Sequence, residues 1–153
     1  MGVERGHAVA KEQIAKSIHT TMHGRKPPDE QVRALAAYLR TLRPAPGVGR
    51  FADSPDEAAV KRGREVFDKQ SCATCHAPPT FTTRRTYDVG LADEVGNRRF
   101  NPPSLRGVSQ GGPYFHDGRA ATLADVFTRH RHQLKGKLTP AELKDFISYL
   151  DSL

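Results

Sequence analysis

Five consecutive residues constrain this chain more than any others: Cys72-Ala73-Thr74-Cys75-His76. Two thiols separated by two residues and followed at once by an imidazole form the C-x-x-C-H pattern. In a c-type haem the thiols add to the porphyrin vinyl groups and the histidine binds the iron from one face. The spacing has a mechanical basis. One helical turn sets both sulfurs at one edge of the macrocycle and brings the adjacent imidazole under its centre. A redox dithiol would need a strand–helix context, whereas the residues before Cys72 read as helix. A structural zinc site would need four ligands, and the chain has only two cysteines, both in this motif. The motif therefore predicts one covalent haem c per chain, anchored by Cys72 and Cys75 and ligated by His76.

At 153 residues the chain has room for one ordinary domain, or a small domain with an appendage. No run of about 18 apolar residues is present to span a membrane. The N-terminal MGVERGHAVAKEQ lacks the apolar core of a secretory signal. Covalent attachment of this kind takes place outside the bacterial cytoplasm, so a periplasmic location is expected, with the sequence as a piece of a longer exported precursor. The formal charge of +7 is scattered, and no nucleic-acid motif accompanies it. It suits a solvated surface or a face that docks an acidic redox protein, and nucleic acid is not expected as a partner.

Hydrophobic periodicity supplies helices and no convincing strand. AVAKEQIAKSIHTTMHG, residues 8–24, reads as a weakly amphipathic helix stopped by Gly24. DEQVRALAAYLRTL follows, with Val32, Leu35, Ala36, Leu39 and Leu42 at helical spacing. A Pro/Gly-rich linker over residues 43–50 marks a domain boundary. The next helix is predicted to start at the capping sequence Ser54-Pro55-Asp56-Glu57 and to run to Lys69, with Gly63 placed for a close helix crossing. Residues 77–121 lack periodicity and read as long loops wrapped on the haem. Thr122 caps a helix TLADVFTRH that carries His130 on its buried face, and Thr139-Pro140-Ala141-Glu142 opens the last helix.

The last helix echoes the DEQVRALAAYLRTL helix. LTPAELKDFISYLDSL aligns with PPDEQVRALAAYLRTL, pairing Tyr149 with Tyr38 and Leu150 with Leu39. The same offset pairs His130 with His19. The expected organisation is therefore all-α. Residues 1–45 form the C-terminal remnant of a preceding cytochrome-like domain that carries no haem motif here, and residues 46–153 form a c-type cytochrome domain.

The succession CATCHAPPTFT, YDVGL, RRFNPPSLRGV, GGPYFHDGRAATLADVF and LTPAELKDFISYL resembles the C-terminal haem domain of the bacterial dihaem cytochrome c peroxidase and MauG-type family. The resemblance covers about residues 54–153 and implies the cytochrome c fold, in which an N-terminal helix crosses a C-terminal one. It also implies that the second axial ligand comes from the helix after HDG-x-x-x-TL, typically methionine, or tyrosine in MauG-type members. Here His130 holds that register, with His116 and His132 as competing candidates. A His/His iron is closed to peroxide and lower in potential than a His/Met iron. Arg106 and Arg119 are candidates to pair with the haem propionates, because a guanidinium fork matches carboxylate oxygens. The expected function is electron transfer, as the relay domain of a larger dihaem peroxidase-like protein whose partner is a redox protein or a second haem domain. The alternative is a peroxidase or MauG-like oxidase reacting with hydrogen peroxide at an openable haem site.

Overall fold

The computed structural model describes residues 10–43 and 56–153. Its contacts divide the chain into two compact units, Met1–Arg43 and Pro44–Leu153. The predicted linker beyond Arg43, and Ser54 and Pro55 of the predicted cap, lie outside the described residues.

In the first unit, helical backbone over residues 10–16 runs into a π turn, Ser17–Thr21. The Met22 amide donates to Ser17 O at 2.9 Å and the Gly24 amide to Ile18 O at 2.8 Å. The chain thus leaves the helix through bonds spanning five and six residues, a widening that tends to mark functional positions. His19 Nδ1 donates to Gly24 O at 3.1 Å and closes the turn. Helix α1 (Asp29–Thr41) begins after Pro28, with Asp29 and Glu30 in its first turn, where the helix dipole favours negative charge. It buries Val32 and Ala36. Its other apolar positions are open: Leu35, Tyr38, Leu39 and Leu42 are 37%, 60%, 46% and 52% exposed.

The second unit is built on two crossed helices. Helix α2 (Glu57–Lys69) is capped by Asp56, whose Oδ1 accepts from the Ala59 amide at 2.9 Å. The cap is therefore two residues later than the predicted Ser54. Helix α3 (Leu123–Thr128) has the full Thr122/Asp125 capping box. Helix α4 (Pro140–Asp151) has the Thr139/Glu142 box with proline at its start. Helices α2 and α4 cross at Gly63, where a Cβ would lie 2.0 Å from Asp145 O and 2.7 Å from Tyr149 Cβ. Arg62 forks onto Asp145 beside the crossing, at 2.6 and 2.9 Å. Val66, Phe67, Leu123, Phe146, Tyr149 and Leu150 form the core. Within it Phe67 packs edge-on against Tyr149 at 5.5 Å, and Phe127 lies 4.7 Å from Phe146.

The only sheet among the described residues is a two-stranded antiparallel ladder, β1 (Tyr87–Asp88) with β2 (Arg99–Phe100). The other regular elements of the second unit are helices and 3-10 turns, as expected for an all-α cytochrome-like fold. The loops between α2 and α3 are held by their own polar bonds. Asn101 Nδ2 donates to Thr83 O and Arg85 O, Ser104 Oγ to Thr80 O, and Arg106 Nε to Pro79 O. The stretch NPPSLRG is thereby laced to residues 79–85, which explains how a loop without periodicity holds one shape.

Glu142 ties the two crossed helices at their far ends, accepting from Lys69 Nζ at 2.8 Å and from the Thr139 amide at 2.9 Å. These bonds, led by Lys69, hold its carboxyl at about 2, below the ordinary 4.5. A depressed carboxyl stabilises the fold above its unfolded value and loses that contribution as pH falls through the folded one. The urea midpoint of the wild-type protein is therefore expected to fall more steeply from pH 4.5 towards about 2 than that of Glu142→Gln.

Candidate functional site

The attachment turn grows directly from the end of α2. Ser71 takes a left-handed conformation, φ 58°, which breaks the helix and starts a 3-10 turn over Cys72–Thr74. The Cys75 and His76 amides both return to Cys72 O, at 3.2 and 2.9 Å. The three motif side chains thus leave one turn. The cysteines are not joined to each other. Cys72 and Ala73 pack against the core. Burial pushes both thiols up, Cys72 to about 11. Neutral thiols beside an apolar core are the opposite of the low-pKa thiolate that a redox dithiol requires.

His76 is oriented by two carbonyls. Its Nδ1 lies 3.1 Å from Phe81 O and 3.1 Å from Pro103 O. A carbonyl can only accept, so Nδ1 carries the proton and Nε2 keeps a lone pair. This is the arrangement by which a metal-binding histidine is fixed in tautomer and direction by its neighbours. Burial also holds the ring below its ordinary pKa, which keeps it neutral. Phe81 in turn meets Phe67 edge-on at 6.1 Å, so the carbonyl that orients His76 is braced by the core.

The opposite histidines sit differently from the sequence expectation. Helix α3 ends at Thr128, and His130 lies in the bend that follows it. Its amide returns to Asp125 O at 3.2 Å, a bond spanning five residues. Arg131 and Gln133 have left-handed φ values of 48° and 49°. The alternation throws His130 and His132 to the same side, where both meet the ring of Phe115, at 5.3 and 5.4 Å. On a continuous helix they would diverge. His130 Nε2 is the one fully buried side-chain nitrogen or oxygen without a hydrogen-bond partner among the described residues. Such an atom is costly to bury unless something binds it. Burial first, and then the neighbouring His76 imidazole, bring His132 down to about 4.

The remaining candidates have other partners. His116 stacks on Phe100 at 4.6 Å and lies 4.0 Å from Asp117. Arg119 is paired with Asp117, Nε to Oδ2 at 2.6 Å. Arg106 spends its Nε on Pro79 O. Neither arginine meets the other candidates through these bonds.

Gln70 carries a role that periodicity could not reveal. It is only 6% exposed, and its Oε1 accepts from the Lys135 amide at 2.8 Å. Lys135 Nζ reaches Ser71 Oγ in return. The segment after His132 is thereby pinned to the residues that launch the attachment turn. A polar residue at a helix end gives no sequence cue to such a long-range bond.

These residues fit a c-type haem. One turn offers two thiols and an Nε2 lone pair, and a buried unpaired imidazole nitrogen lies on a neighbouring segment. Half-buried apolar side chains such as Leu105, Val108, Tyr114, Phe127 and Leu138 border the core and can bury further against a porphyrin.

The comparisons agree with this chemistry. The family model described as di-haem cytochrome c peroxidase matches residues 66–143. The methylamine utilization protein MauG of Methylorubrum extorquens is 30% identical over 150 residues, covering 78% of this chain and 42% of the relative. The cytochrome c551 peroxidase of Nitrosomonas europaea is 31% identical over 147 residues, covering 82% of this chain and 44% of the relative. The chain thus spans less than half the length of these two relatives. Among solved structures, a hydrazine synthase chain of Kuenenia stuttgartiensis superposes with a TM-score of 0.69 at 26% identity, covering 92% of this chain and 60% of that one.

Proposed function

This chain belongs to the di-haem cytochrome c peroxidase family, and on that premise we propose that it transfers electrons through one covalently bound c-type haem, as the relay part of a larger dihaem protein. Bound haem supplies one-electron cycling of its iron. Cys72 and Cys75 anchor the porphyrin by thioether bonds. His76 presents Nε2 to the iron because the Phe81 and Pro103 carbonyls hold the proton on Nδ1. His130 is the second ligand, and the observation that carries this assignment is its buried, unpartnered Nε2. Gln70, by tethering Lys135, keeps the His130 segment at a fixed distance from the attachment turn. Arg106 and Arg119 are the candidates to face the propionates, with Arg119 sharing its charge with Asp117.

An iron held by His76 and His130 has no open position, which favours relay over peroxide chemistry at this haem. Residues 1–45 are read as the closing part of a second cytochrome-like domain and residues 46–153 as the c-type cytochrome domain. The partner is that second haem domain or a separate redox protein. The place of action is the periplasm, where covalent haem attachment occurs. No helix among the described residues is long and apolar enough to cross a membrane.

The test is electron paramagnetic resonance of the ferric holoprotein. A low-spin bis-imidazole signal is expected, converted to high spin in His130→Ala and retained in His132→Ala. High-spin iron at this haem in the wild-type protein, or a signal that ignores His130→Ala, overturns the proposal.

A further inference from the structure

The segment that carries His130 has a second side. From His130 to Leu138 half-buried and exposed residues alternate without a break. His130 and His132 meet the ring of Phe115, whereas Arg131 between them lines a groove of about 300 Å³. The end of α3, the segment itself and the first turn of α4 wall this groove with Phe127, Leu134, Leu138 and Leu143. Neither cysteine, and none of His76, Phe115, His130 and His132, lines it. The groove is therefore apart from the space between the axial histidines.

Its chemistry is one-sided. Arg131 and Lys137 are the charged residues of the lining, and no carboxylate among the described residues lines it with them. Thr128 adds a hydroxyl whose proton is already given to Ala124 O at 2.9 Å, so it offers a ligand lone pairs and no donor. A neutral apolar molecule would leave both cations without a counter-charge. An inorganic anion would leave the phenylalanine and leucines wet. An apolar body bearing one carboxylate answers both parts of the lining. The volume is at the low end for a small-molecule site and limits that body to about one aromatic ring or a short chain.

The groove also shares walls with the haem site. Phe127 and Leu138 line it and pack against the core, where Phe127 lies 4.7 Å from Phe146. Leu134 and Lys137 stand on either side of Lys135, whose amide is held by Gln70 beside the attachment turn.

We propose that this groove binds a small apolar carboxylate, and that the bound ligand lowers the potential of the haem held by His76 and His130. The binding rests on the groove alone, and the effect on potential rests on the reading of His130 as a ligand. Of the two oxidation states the ferric iron carries the greater positive charge, so a carboxylate added near it favours that state. By linkage the ferric protein then binds the ligand more tightly than the ferrous protein.

The test uses the holoprotein, with phenylacetate as the probe and calorimetric titration as the readout. Saturable binding at one site is expected in the ferric protein. Neutral phenylacetamide is expected to bind at least about tenfold more weakly, as the loss of a charge-assisted pair requires. Lys137→Gln weakens phenylacetate by a similar factor, and Thr128→Asp, which sets a carboxylate in the groove, abolishes its binding; both positions are exposed. The ferric low-spin signal persists when phenylacetate is added, which keeps the probe off the iron. A redox titration moves to lower potential with phenylacetate, and the reduced protein binds it about fivefold more weakly or less tightly still. Absence of saturable binding, equal binding of the amide, or binding that survives both substitutions overturns the site. So does binding that replaces the low-spin signal, because the probe is then an iron ligand. Binding with an unmoved potential overturns the coupling. High-spin iron in the wild-type protein overturns the reading of His130, while the calorimetry with the two variants still decides the groove.

Discussion

Replacing both thiols of the attachment turn, Cys72→Ser with Cys75→Ser, is expected to abolish covalent haem at residues 72–76 even when the protein is produced with the maturation machinery. The intact mass falls by one haem, and either single variant retains one thioether. The effect is all-or-none because no other cysteine can substitute. Oxygen for sulfur changes the local fold little, since the turn is set by Ser71 and the Cys72 carbonyl and not by the thiols. What changes is retention. With its tether gone, the haem is held by His76 and the segment bearing His130, and it can be extracted. The same experiment separates the haem reading from a redox dithiol. Both thiols are raised by burial, Cys72 to about 11, so slow alkylation at neutral pH is expected of any chain that escapes haem attachment. A haem adduct that survives the double substitution contradicts the site.

The parts legible in the sequence are those fixed by local chemistry. The attachment turn is written in five residues, and two of the helix starts are written in their capping boxes, Thr122 with Asp125 and Thr139 with Glu142. The parts that were hidden depend on long-range geometry. Nothing in TLADVFTRHRH announces that α3 stops at Thr128, because no glycine or proline stands between Thr128 and Lys135; the stop comes from left-handed turns at Arg131 and Gln133. That stop brings His132 to the side of His130, where helical periodicity had separated them. Gln70 was invisible for a related reason, since its partner lies at Lys135.

Gly63→Ala is expected to lower the stability of the second unit by about 2 kcal/mol or more, although alanine is the better helix former by about 1 kcal/mol. The new methyl meets Asp145 O at 2.0 Å and Tyr149 Cβ at 2.7 Å, and neither of these atoms can swing aside as a flexible side-chain tip could. Relief requires α2 and α4 to separate, which loosens the packing of Phe67 on Tyr149 and strains the Arg62–Asp145 fork beside the crossing. The melting temperature should fall by roughly 10 °C for a unit of this size. Lys61→Ala, on the exposed side of the same helix, should leave it nearly unchanged. The consequence extends to the site, because α2 ends in the attachment turn and Gln70 at that end holds the segment after His132. A displaced α2 therefore moves His76 relative to His130. In the ferric holoprotein, Gly63→Ala should weaken or heterogeneously split the bis-imidazole signal, whereas a stabilising change on the exposed face of α2 should sharpen it. Unchanged melting and an unchanged signal in Gly63→Ala would mean that the helices do not cross this closely.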